Sequence, residues 1–211
     1  MSKLLVWDWN GTLLDDLTVV VDATNASLAS ANGPTVTADE HRRDYRRPII
    51  DYYSFVLGRP VDEVEFELLD GVFHGAYNAR LAACLLAADA QAALDAWSGT
   101  QSLLSMWFHT ELVPTVERYG LTSRFARVDG LRGTVGGGPK APHLAAHLEA
   151  LGIRGADCVL IGDSVDDAIA AEAVGAKIIL YSGGFTDLDR LRAVGVPVAH
   201  SLAEAVALAR S

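Results

Sequence analysis

Four places in this chain carry residue types that could work together on a phosphoryl group. Asp8 closes a short apolar run, Leu4 to Trp7, and opens the stretch Asp8-Trp9-Asn10-Gly11-Thr12. Ser105 follows a second run, Ser102 to Leu104, and Asp163-Ser164-Val165-Asp166-Asp167 follows a third, Cys158 to Ile161. A glycine-rich loop, Gly136-Gly137-Gly138-Pro139, delivers Lys140 just before a helical pattern. Carboxylates from two strand ends are the hard oxygen ligands that magnesium takes, while a hydroxyl, a lysine and backbone amides hold phosphoryl oxygens. Singly, each feature also has a plain structural role. Asn10-Gly11 suits a turn, Asp163 or Ser164 a helix cap, Ser105 a strand end, and Lys140 a solvated charge. Their common position after apolar runs favours a joint role, because ligands of open parallel sheets lie outside the carboxyl ends of the strands.

The elements that must position them follow from hydrophobic spacing. Apolar runs ending in small or acidic residues, including a fourth from Ile178 to Tyr181, alternate with stretches of helical period, as in a parallel sheet covered by helices. Leu144, Leu148 and Leu151 share one helical face that ends at Gly152, with Pro142 suited to the first turn. Ile169 and Val174 form a weaker stripe ending at Gly175. From Asp16 to Leu86 the pattern is helical without a buried strand: Leu17, Val20, Val21, Thr24 and Leu28 make one face, and Phe66, Leu69, Phe73, Tyr77 and Leu81 another. The expected fold is therefore an α/β doubly wound parallel-sheet, Rossmann-like core, residues 1–15 and 87–211, with an inserted helical domain over residues 16–86.

With 211 residues, 50% of them hydrophobic, the chain is long enough for a core with an insert. Its formal charge of -10 disfavours nucleic acid and anionic membrane surfaces, and no apolar segment approaches the roughly 20 residues that span a bilayer. Two cysteines, Cys84 and Cys158, lie in apolar stretches, and no signal peptide is visible. A cytoplasmic protein with a small-molecule partner, monomeric or a homodimer, is the expectation.

The motifs resemble those of the haloacid dehalogenase-like (HAD) superfamily, in the helical-capped branch that includes phosphoglycolate phosphatases. That family reads DxDGT, then Ser or Thr after a strand, then Lys, then GDxxxD, and Asp8, Ser105, Lys140, and Asp163 with Asp167 occupy those places in order. The resemblance implies a phosphate monoester hydrolase acting on a small phosphorylated metabolite through an aspartyl-phosphate at Asp8. It implies Mg2+ held by Asp8, the backbone carbonyl of Asn10 and Asp163, with Asp167 in support. Ser105 and Lys140 would bind the phosphoryl group, Gly11 and Thr12 would join them in binding substrate, with Thr12 also bonding within the loop, and the insert would act as a cap.

One position departs from the pattern. The second Asp of the first motif, the family's general acid and base, is Asn10 here, and an amide cannot transfer a proton at neutral pH. A phosphotransferase, or a non-catalytic relative that binds phosphorylated ligands, is the alternative. A metal-free dehalogenase disagrees with Asp163 and Asp167, and a phosphonate-cleaving enzyme lacks its Schiff-base lysine, since none occurs from Asp16 to Leu86. Arg42, Arg43, Arg46 and Arg47 form the most basic patch. Arg47, before Pro48 at an expected helix end, is the best candidate to read a substrate anion, the alternative being a solvated face. His109 is a candidate replacement acid or else a surface residue. His143 and His147 have helical i, i+4 spacing without an acidic third ligand nearby, and Trp7 and Trp9 suit packing.

Overall fold

A computed structural model describes residues 4–133 and 135–211. The elements in chain order are β1 (Leu4–Trp7), β2 (Leu14–Asp15), α1 (Leu17–Ser30), α2 (Ala38–Asp44), α3 (Ile49–Leu57), α4 (Glu63–Arg80), β3 (Leu85–Leu86), α5 (Ala90–Ala96) and β4 (Gln101–Phe108). They continue with α6 (His109–Arg118), β5 (Val128–Leu131), α7 (Ala141–Leu151), β6 (Cys158–Gly162), α8 (Val165–Val174), β7 (Lys177–Tyr181), α9 (Leu188–Ala193), β8 (Val198–Ala199) and α10 (Leu202–Arg210). Six strands form one parallel sheet in the order β5-β4-β1-β6-β7-β8. The chain builds outward from β1 on one side and then restarts at β6 on the other. This reversal opens a crevice at the carboxyl ends of β1, β4 and β6, where a ligand can enter.

Period-two alternation sorts the central strands between two apolar layers. Leu5, Trp7, Leu103, Val159 and Ile161 pack into one cluster, and Leu4, Val6, Leu104, Cys158 and Leu160 into the other. Both faces are buried because helices cover both, so each run reads as continuously apolar. The α7 helix has Pro at its start, and α7 and α8 end at Gly152 and Gly175 in left-handed conformations, φ 64° and 71°. On α8, however, Ile169 is 54% exposed, and the buried face consists of Ala168, Ala170 and Ala171. Only small side chains fit where that helix lies against the sheet.

Residues 17–80 supply four helices with an apolar cluster of their own, Leu28, Tyr53, Val61, Phe66 and Leu69. A two-stranded antiparallel pair, β2 with β3, ties together the points where the chain leaves and rejoins the sheet. The segment expected to hold no buried strand does contain β3, but its two residues are exposed and half-buried and carry no periodic signal. The helix before Pro48 also ends earlier than expected, at Asp44, and residues 45–48 connect to α3, which Pro48 caps. The core strands β5 and β8 escape the sequence pattern too, because they are short, partly exposed edges. Among the described residues no helix is long and apolar enough to cross a membrane. The cysteines are free and buried.

Candidate active site

Four segments converge at the crevice. Asp8 leaves β1 with its amide bonded to Ile161 O (2.9 Å), so the ladder fixes where its carboxylate begins. Ser105 comes from β4, Lys140 stands immediately before α7, and Asp163 and Asp167 flank the start of α8. Ser105 is not past the end of its strand, because β4 runs on to Phe108. It sits where the register with β5 shifts between Leu104 and Phe108, so the strand bends there and the hydroxyl Oγ accepts from Trp107 N at 3.0 Å.

Three buried carboxylates, Asp8, Asp163 and Asp167, each offer an oxygen within 4.8 Å of the others. Lys140, 2% exposed, lies between two of them, with Nζ 2.9 Å from Asp8 Oδ1 and bonded to Asp167 Oδ1. Burial works against the ammonium, but Asp167 and Asp8 outweigh it and hold the pKa above the usual lysine value. The Asp8 carboxyl is raised as well, but by burial itself, which lifts it to about 6 despite the pull of Lys140. Asp163 is driven well above its ordinary value by burial and by the charges of Asp8 and Asp167. Its carboxylate accepts from Phe185 N (2.6 Å) and Thr12 Oγ1 (3.3 Å), so the Thr12 hydroxyl reaches across to Asp163 while its amide bonds within the loop to Trp9 O (3.2 Å). Glycine is required on both sides of this carboxylate. A Cβ at Gly11, where φ is +70°, would lie 2.5 Å from Asp163 Oδ2, and one at Gly184 would lie 2.1 Å from it. Asp167 closes a capping box with Ser164 and spends Oδ2 on Ser164 N and Oγ, leaving Oδ1 for Lys140.

Asn10 is held from both sides. Its Nδ2 donates to Asp16 Oδ2 (2.8 Å) and to Tyr77 Oη (2.9 Å), and its Oδ1 accepts from Ser105 Oγ (3.0 Å). Tyr77 on α4 in turn donates to Asp16 Oδ2 at 2.6 Å, and Gly11 N donates to Asp16 Oδ1 at 2.8 Å. Burial raises the Asp16 carboxyl to about 6, with these bonds opposing the rise. Sequence spacing missed Asp16 and Tyr77. The only local signal was a second acid directly after Asp15.

A cavity opens above Asp8, and Asn10, Ser105, Lys140, Asp163, Asp167 and Arg47 all reach its wall. Gly11 and Thr12 do not; they border a separate depression with Tyr181 and Gly183. Arg47 donates to Gly138 O (3.1 Å), stands 3.9 Å from Asp166, and counts Asp8 among the charges that stabilise its own. Asp166, also missed, accepts from Lys140 N at 2.9 Å and so anchors the lysine. The glycine-rich loop contacts the inserted helices: Gly137 O accepts from Ile49 N (2.9 Å), and Gly136 N donates to Asp70 (3.2 Å). The other arginines of the basic patch serve structure: Arg42 bonds Gly183 and Gly184 carbonyls, Arg43 pairs with Asp44, and Arg46 lies over Phe55. His109 is turned toward Gly130 N and Arg132, away from the cavity wall. His147 is bound by Asp129 and Ser102, each at 2.8 Å, which rules out a metal pair with His143. Trp7 and Trp9 are fully buried packing residues.

A doubly wound sheet with a buried lysine and a cluster of three carboxylates at its switch point fits an α/β hydrolase of the phosphoryl-handling kind. The family model of haloacid dehalogenase-like hydrolases matches residues 2–175, and the chain belongs to that family. It is a phosphatase-type enzyme of that family, similar to phosphoglycolate phosphatases. One from Agrobacterium fabrum is 27% identical over 195 residues, covering 89% of this chain and 84% of the relative, and one from Caulobacter vibrioides is 26% identical over 190 residues, covering 87% and 80%. In fold the chain is similar to a predicted phosphatase from Clostridium acetobutylicum, with TM-score 0.84 at 17% identity, covering 98% of this chain and 97% of the other.

Proposed function

We propose that the protein is a magnesium-dependent phosphate monoester hydrolase that works through an aspartyl-phosphate on Asp8, with the inserted helices acting as a cap over the site. The observation that carries this is the placement of the Asp8 carboxylate at the cavity floor, paired with Lys140 and crowded by two further buried acids. The donor set suits the metal. All its side-chain ligands are hard oxygens; burial first, and then the charges of neighbouring carboxylates that Lys140 alone does not offset, raise Asp8 and Asp163, and a cation would relieve both. Asp8, the Asn10 backbone carbonyl and Asp163 would hold the ion, with Asp167 behind them, and the bound cation would neutralise charge on the phosphoryl oxygens.

Asp8 Oδ attacks phosphorus, the bond from phosphorus to the alcohol oxygen breaks, and the departing oxygen takes a proton from solvent. Lys140 and Ser105 bind the equatorial oxygens, and Arg47 adds a second cation at the same end. Water then attacks phosphorus and gives up a proton to solvent, the bond from phosphorus to the Asp8 carboxylate oxygen breaks, and phosphate leaves with the carboxylate restored. Asn10 supplies neither proton transfer, which makes the second step slow and leaves transfer to an acceptor alcohol as the competing reading.

Phosphate release from a panel of phosphorylated metabolites, with magnesium and with a chelator, tests the proposal. Activity should fall to background with chelator and return on adding magnesium, and activity indifferent to chelator would sink the metal assignment. Because Arg47 stands by Asp166 and Asp8, Arg47→Ala should lower kcat/KM by about 10- to 100-fold for alkyl and aryl phosphates alike, the size of a lost charge-assisted contact. A loss confined to substrates with a second anionic group would instead assign Arg47 to the alcohol.

A further inference from the structure

The two ends of the cavity differ in chemistry. Among the described lining residues the only lysine or arginine side chains are Lys140 and Arg47, and both are committed to the Asp8 end. The remaining wall comes largely from the inserted helices and is apolar and aromatic: Val20 on α1, Tyr52 on α3, Phe73 and Tyr77 on α4, together with Met106 and Trp107 of β4. Its one acid away from Asp8 and the α8 cluster is Asp70, which already engages His74 (3.4 Å) and Gly136 N (3.2 Å). His41 faces the cavity uncharged, since burial pushes its pKa down to about 4. An alcohol bearing a carboxylate would thus meet Asp70 and find no lysine or arginine of its own, the remaining histidine of that wall, His74, standing beside Asp70.

The same wall holds buried polar atoms with no partner in the protein. Trp107 Nε1, His41 Nε2 and His74 Nδ1 are unpartnered, although Trp107 and His41 are only 4% and 1% exposed. The other nitrogen of His41 is used by Tyr52 Oη at 2.9 Å. An indole N–H can only donate, and leaving it unmet in an apolar site is costly, so a ligand acceptor there is favoured.

We infer that the alcohol portion of the substrate is an uncharged, mainly apolar and flat body that carries a hydrogen-bond acceptor, unlike the carboxylate-bearing alcohol of phosphoglycolate. This rests on the phosphatase reading for the phosphoryl end, but its test does not need turnover. In phenethylphosphonate and β-phosphonopropionate a methylene replaces the bridging oxygen of benzyl phosphate and phosphoglycolate, so both bind without being cleaved. Calorimetric titration of the unmodified protein with magnesium should show phenethylphosphonate binding about 10-fold or more tighter, the effect of burying a phenyl ring against losing an unpaired carboxylate. A para-acetyl derivative should gain a further several-fold, and Trp107→Phe, which keeps an aromatic ring without the N–H, should erase that gain. Equal or tighter binding of β-phosphonopropionate, or no binding of either probe, overturns the inference, as does an acetyl group that adds nothing. Failure to release phosphate from any ester, with the binding preference intact, would count against the hydrolase proposal alone.

Discussion

Asp8→Asn should release phosphate at least about 10,000-fold more slowly than the parent on every ester, with an unchanged circular dichroism spectrum, because the substitution removes the attacking oxygen and keeps the shape. The same variant should be no less stable in metal-free buffer. The Asp8 carboxyl is raised to about 6 in the folded protein against 3.8 ordinarily, so the folded state binds the proton more tightly than the unfolded chain does. Stability from this group is therefore present at low pH and declines as pH rises between those values, leaving charged Asp8 a cost at neutral pH. A neutral amide removes that cost, while Lys140 keeps Asp167 as a partner. The thermal midpoint without magnesium should stay level or rise, and magnesium should protect the variant less than the parent. Retention of more than a trace of turnover would overturn the nucleophile assignment, and an unfolded variant would show that the Asp8 to Lys140 pair is needed for folding.

The second large effect concerns Asn10 and the buried acid behind it. With no proton carrier at this position, an aryl phosphate can still phosphorylate Asp8, since an aryloxide leaves without help, but water attack on the intermediate is unassisted. The unmodified protein should give a burst of phenol approaching the enzyme concentration and then turn over slowly. Asn10→Asp alone should recover little, less than about 10-fold on an alkyl phosphate. The new carboxyl would take over the 2.8 Å contact with Asp16 Oδ2, and two carboxyls at that distance share one proton, which would be held facing Asp16. Combining it with Asp16→Asn gives that oxygen an amide donor and frees the other for the substrate. The double variant should gain about 100-fold or more on alkyl phosphates, the lower end of general acid-base catalysis, and lose the burst. If the single variant gains as much as the double, Asp16 does not govern this position. If rapid-quench measurements show no burst and neither variant gains, another group already transfers the proton.

Much of this site was legible because it depends on order along the chain. In a parallel sheet every strand points the same way, so residues after successive apolar runs must meet at one edge, and Asp8, Lys140, Asp163 and Asp167 do. Helix ends at Gly152 and Gly175 were equally local, since a left-handed terminal residue favours glycine wherever it occurs. Burial faces were less secure. Ile169 looked like a core residue on hydrophobicity and is exposed, while neighbouring alanines face the sheet, because the space between packed layers, which no pattern reports, sets side-chain size.

The sequence by itself determined the fold class and the positions of Asp8, Lys140 and the acid cluster, consequences of short apolar runs, the residues next to them and a glycine-rich loop before a helix. Tertiary structure alone decided what surrounds Asn10. Tyr77 lies 61 positions from the Asp16 it contacts, and Ser105 lies 95 from Asn10, so their meeting depends on how α4 packs across β1 and β4. It also decided that Arg47 stands beside Asp166 at the Asp8 end of the cavity and that the far wall is largely apolar and aromatic. Spacing along the chain encodes strand ends and helix faces, but a hydrogen bond between distant segments, and the desolvation that gives it force, exist only once those segments have packed.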